Sequence, residues 1–158
     1  MHLATLPQLA LAIFLTSLAA PTLADAGQIT GTWQCQQKLS PDPQVEVEVR
    51  YEQQFTPNRN FNIDGRLDAS FAGNSLAYTF RGNGTWSVSG QFLDIETADS
   101  EFRPANQTAQ QMHDAGILRA DQFNNLQSTD RFEIIKLNQR EMHLKHNKED
   151  FRTQCTRR

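Results

Sequence analysis

The chain lacks a long hydrophobic run. Its most apolar stretch, Leu9 to Leu18, falls short of the roughly 18 to 20 residues that a membrane-spanning helix needs, which argues against a stable membrane anchor. It also lacks a Gly-x-Ser-x-Gly elbow, a phosphate-cradling glycine loop and a Cys–His arrangement, so the common signatures of nucleophilic and phosphate chemistry are missing. There is no excess of positive charge: the formal net charge is -3 with both signs interspersed, and Arg157-Arg158 is only a short basic tail. Such a surface offers no basic field to a nucleic acid or an anionic bilayer. These absences point to a protein that is not an enzyme, needs no cofactor or metal, and has a small molecule or another protein as its partner.

What is present begins with a leader. The apolar run is followed by small residues ending in Ala24-Asp25-Ala26, the A-x-A pattern of a signal-peptidase site, so residues 1–26 read as a signal peptide. No cysteine stands at the expected cleavage point to take a lipid. The remainder, residues 27–158, is the size of one domain with one core. Export, to a periplasm or to the exterior, puts Cys35 and Cys155 in an oxidising compartment where an even pair can bond.

The body of the chain alternates. Val45, Val47, Val49, Tyr51 and Phe55 face one way and Glu46, Glu48, Arg50, Glu52 and Gln54 the other, with Gln53 as the only break. Phe61, Ile63, Leu67, Ala69 and Phe71 repeat the rule. Residues paired across an antiparallel turn share a face, and turns at Gly73-Asn74, Gly82-Asn83-Gly84 and Ser89-Gly90 keep Leu76, Tyr78, Phe80, Trp86, Leu93 and Ile95 on the inner side, with Phe92 outside. A turn at Gln139-Arg140 pairs Leu137 with Met142 and Ile135 with Leu144, and the last strand puts Phe151, Thr153 and Cys155 on one face. Eight to nine such strands describe an all-β, antiparallel up-and-down meander that removes its edges by closing into a barrel. Residues 98–126 break the alternation and are too long for a structureless connection. Thr108 could cap a short helix there carrying Ala109, Met112 and Ala115.

A bond between Cys35 and Cys155 across neighbouring antiparallel strands has a consequence. Opposing residue numbers then share one sum, and Trp33 falls opposite Arg157. Trp33 is either an ordinary core indole or one stacked beneath a guanidinium. His143 and His146, three apart on a strand, point to opposite faces and cannot hold one ion. His113-Asp114 has no nucleophile beside it.

The Gly31-Thr32-Trp33 motif on the first strand, the meander, the terminal arginine and the segment Gly84 to Leu93 resemble the lipocalin and calycin group, in particular its small bacterial lipocalin-like domains. The resemblance implies a barrel of about eight strands, closed at one end by Trp33 and Arg157, with a ligand cavity at the other. An exported, non-enzymatic barrel binding a small apolar or amphipathic ligand is the function this implies. Tyr51, Phe61, Phe71, Tyr78, Phe80 and Trp86 are its candidate lining residues, which a filled core would also use. The alternative is a filled barrel that binds a protein, as an inhibitor or assembly factor, through residues 98–126.

Overall fold

The computed structural model describes residues 24–124 and 127–158. Eight antiparallel strands follow one another round a closed barrel: β1 (Gly31–Asp42), β2 (Val45–Phe55), β3 (Asn60–Phe71), β4 (Asn74–Ser89), β5 (Phe92–Pro104), β6 (Ser128–Leu137), β7 (Glu141–His146) and β8 (Arg152–Arg157). A one-turn helix α1 (Ala26–Ile29) precedes them, and α2 (Gln107–Asp114) with a 3-10 turn (Ala120–Phe123) lies between β5 and β6. The meander expected from alternation is therefore the fold, with the insertion carrying a short helix. Among the described residues no helix is long and apolar enough to cross a membrane.

The expected leader lies outside the described residues up to position 23. Its last residues belong to the fold. Asp25 caps α1 by accepting from the Gly27 amide at 3.0 Å, and Ala26 packs on the core.

The barrel closes between first and last strands in the register the cysteines imply: Cys35 faces Cys155 and Trp33 faces Arg157. The disulfide is formed. Joining positions 120 residues apart, it restricts the unfolded chain by about 5 kcal/mol on the chain-entropy account.

Several turns differ from expectation, each for a local reason. The β3–β4 turn is Ala72-Gly73, both with positive φ (47° and 80°), so Phe71 opposes Asn74 and Ala69 opposes Leu76. The β4–β5 turn is Gly90-Gln91, and Trp86 faces Ile95. Each shift moves the pairing sum by two, which preserves the faces. The expected loop at Gly82-Asn83-Gly84 is the middle of a continuous 16-residue β4. Its glycines serve close approach: a Cβ at position 84 would lie 1.9 Å from the Glu96 carbonyl oxygen, opposite a bulge where pairing jumps from Asn83–Asp99 to Gly84–Thr97. A second bulge ejects Ile135, which is 49% exposed, so Ile134 rather than Ile135 opposes Leu144. The cap of α2 is Asn106, whose Oδ1 accepts from the Ala109 amide at 2.9 Å, rather than Thr108.

The strands are unequal. β8 pairs with β1 only over Trp33 to Gln36, and β6 with β5 only over Phe92 to Thr97. Beyond those points β1–β5 continue as an overhanging sheet whose luminal face has no opposite strand wall. The barrel thus divides into a closed half, walled all round, and an overhanging half with α2 and the 3-10 turn laid against β4 and β5.

Candidate functional site

The closed half is packed solid. Trp33, Phe55, Phe61, Trp86, Leu93, Ile95, Met142 and Leu144 form one buried cluster with the disulfide and with Ile29 of α1. Both tryptophans of the chain sit here in matching arrangements. The Trp33 Nε1 donates to the Ile29 carbonyl at 2.7 Å, and the Arg157 guanidinium carbon lies 4.2 Å from its ring centroid. The Trp86 Nε1 donates to the Thr56 carbonyl at 3.2 Å, with Arg59 at 4.6 Å over its ring. Arg157 also donates to the carbonyls of Gln28, Thr30 (2.7 Å) and Gln139 (2.9 Å), tying α1 and the β6–β7 turn to β8. Gly31 gives it room, since a Cβ there would meet Arg157 Nη1 at 2.4 Å. Gln53, the break in the β2 alternation, is buried beside Trp33 and Ile63. Of the candidate lining residues, Phe61 and Trp86 are buried in this cluster.

Tyr51 marks the boundary. Its register partner on β1 is Cys35, and it shares a hydrogen bond with Thr153, whose hydroxyl reaches Gln37 Oε1 at 3.3 Å. Burial, only partly opposed by that hydrogen bond, pushes its phenol up to about 12 from 10.0. Its ring lies 6.3 Å from that of Phe80, which stacks on Phe102 at 5.5 Å and 23°. Phe102 belongs to the segment whose alternation was not legible in the sequence.

In the overhanging half the luminal side chains Leu39, Val47, Val49, Leu67, Ala69, Leu76, Phe80 and Phe102 all remain partly exposed. Phe71, at the hairpin tip, is 50% exposed. Tyr78 is the exception: only 6% exposed, it packs with Ala109 of α2 and Ala120 of the 3-10 turn, flanked by Leu67, Leu76, Phe102 and Leu118. Among the described residues its hydroxyl is the one buried side-chain polar atom without a hydrogen-bond partner. An unmet group of this kind costs about 1 to 3 kcal/mol. Burial is also what raises its phenol, with no charged neighbour contributing.

The insertion is anchored by polar side chains. Asn106 Nδ2 donates to the Ser75 carbonyl at 2.9 Å, Asn124 Oδ1 accepts from the Phe102 amide at 2.6 Å, and His113 Nδ1 accepts from the Ala120 amide at 3.1 Å. His113 is thereby structural. His146, buried and stacked on Phe151 at 4.7 Å, accepts at Nδ1 from the Glu149 amide (2.9 Å), which places its proton on Nε2 towards Asp130 at 3.4 Å. His143 is on the opposite face, as its spacing requires.

The outer wall is polar and paired with itself. Arg131 grips Asp94 at 2.7 and 2.9 Å and holds that carboxyl below the usual carboxylate range. Glu101 is flanked by Arg81 and Arg103. Shallow hollows bordered by charged side chains occur on this wall, one lined by Glu52, Asp64, Arg81 and Glu101 beside Ile63, the other by Arg50 and Arg66 and reaching Tyr51 and the disulfide. No group of three His, Cys, Asp or Glu able to hold a metal ion occurs among the described residues. Against known proteins, no family model matches the chain, and no curated protein is similar to it.

Proposed function

We propose that this is an exported, non-enzymatic barrel that binds a small apolar or amphipathic molecule on the luminal face of its overhanging half. The observation that carries the reading is the contrast in burial along one continuous face. The luminal side chains around Trp33 are dry and interlocked, whereas those from Leu39 to Phe102 remain partly exposed although they are Leu, Val and Phe. Leaving apolar surface uncovered forgoes roughly 25 cal/mol per Å² of burial, which a ligand recovers on entry. The aromatic row Tyr51, Phe80 and Phe102 leads from this face to the disulfide. The resemblance of the Gly31-Thr32-Trp33 region to lipocalin-like domains supports the same arrangement, and the disulfide is compatible with export.

The test is titration with the neutral fluorophore N-phenyl-1-naphthylamine. Saturable one-to-one binding, displaced by long-chain amphiphiles and abolished by Leu67→Arg in a protein that keeps its thermal midpoint, is the expected result. Absence of saturable binding overturns the reading. In that event the protein-partner reading gains, for which the favouring observation is Ile117, 73% exposed in the insertion.

A further inference from the structure

Resting on that reading, we infer that Tyr78 is the polar anchor of the site and that its ligand is a neutral amphiphile whose head carries a carbonyl acceptor, as an ester, amide or ketone does. Two independent observations meet at this residue. The first is the partly exposed apolar face that runs from it along Leu67, Val49 and Phe80, the natural bed for a hydrocarbon tail. The second is the hydroxyl itself, closed off from water and without a partner. The two tyrosines of the chain make the point by contrast. Tyr51, deep in the barrel, is hydrogen-bonded to Thr153, while Tyr78 lies beneath α2 and the 3-10 turn. A buried polar group is normally satisfied, and an orphan beside an open apolar face is donor capacity held for something that arrives.

The head group's charge follows from the surroundings. Tyr78 packs against Ala109, Ala120, Leu67, Leu76, Phe102 and Leu118, and burial alone raises its phenol, with no charged group contributing. A carboxylate placed here would be a buried anion without a cation, which is strongly disfavoured. A carbonyl oxygen accepts the phenolic proton at no such cost. Its approach requires the cover to lift from β4 and β5, and the cover is made of a two-turn helix and a single 3-10 turn pinned at Ser75 and Phe102.

The experiment compares wild type with Tyr78→Phe, displacing N-phenyl-1-naphthylamine with methyl laurate, with tridecane and, at mildly alkaline pH, with laurate. The wild type should take methyl laurate most tightly. Tyr78→Phe should weaken it about 3- to 10-fold, the worth of one hydrogen bond, and leave tridecane unchanged. In the wild-type complex the stretching band of a carbonyl-labelled ester should lie at lower frequency than in the variant. Equal ester affinity in both proteins, with probe and alkane still bound, overturns the anchor alone. Laurate binding as tightly as its ester overturns the neutral head group. If the fluorophore itself does not bind, the ligand reading and the anchor fall together.

Discussion

The two halves of this barrel are built from the same strands and the same alternation, yet one is solid and the other is not. Around Trp33 every strand has neighbours on both sides, two indole–arginine pairs seal the end, and the luminal residues are buried. Past Gln36 and Thr97 the wall continues on β1–β5 alone, and similar side chains stay partly exposed. Strand length, rather than residue type, separates a closed core from a partly exposed face: β7 and β8 span six residues each, whereas β4 spans 16. Stability should therefore be concentrated in one half and binding in the other.

The largest blow to the closed half is loss of its covalent tie. Replacing Cys35 and Cys155 together by Ala should lower unfolding free energy by about 5 kcal/mol in urea titrations, and a loss below about 1 kcal/mol would contradict the chain-entropy account. Matched truncations sharpen the contrast. Leu93→Ala, at a fully buried site, should cost about 3 kcal/mol, while Leu67→Ala should cost about 1 kcal/mol because part of its surface already meets solvent. Equal costs would erase the distinction between the halves. Gly31→Ala should cost about 2 kcal/mol, from its φ of 133° and from displacement of the Arg157 guanidinium. In an Arg157→Ala background the second contribution disappears, so the double-mutant cycle should be non-additive.

The smallest effect is read by alkaline titration. Tyr51 is raised in the folded state, so its contribution is intact below the unfolded value of 10.0 and lost as pH climbs through about 12. Absorbance of the phenolate should show neither tyrosine ionising at its ordinary pH, and Tyr51→Phe should extend the folded range on the alkaline side. A normal phenol titration in the native protein would refute both buried environments.

Much of this fold could be read directly from residue order. Alternation gives the faces, and because a slip of two residues leaves parity intact, errors in locating the turns after Phe71 and Val88 did not disturb which side chains point inward. The cysteine pair gives the closing register and, with it, the meeting of Trp33 and Arg157. Three things are not legible. Gly82 and Gly84 look like turn glycines because composition alone does not distinguish a reversal from a close approach between strands. The unequal strand lengths depend on where β6 and β8 stop pairing, which no local pattern encodes, so in sequence the buried Phe61 and Trp86 look no different from the partly exposed Phe80. The orphan hydroxyl of Tyr78 is a tertiary property with no signature in sequence.

The register between β1 and β8 also orders events in time. The seam that completes the cylinder joins Trp33–Gln36 of β1 to Gln154–Arg157 of β8, the first and the last strands of the barrel in chain order. Contacts so distant along the chain make closure a late, high-contact-order step. Until then β1 is an unpaired edge along that side, and β8 supplies both the arginine and the cysteine that close it. Without β8, β1 would have neither a strand to zip against nor a partner for the Cys35 thiol.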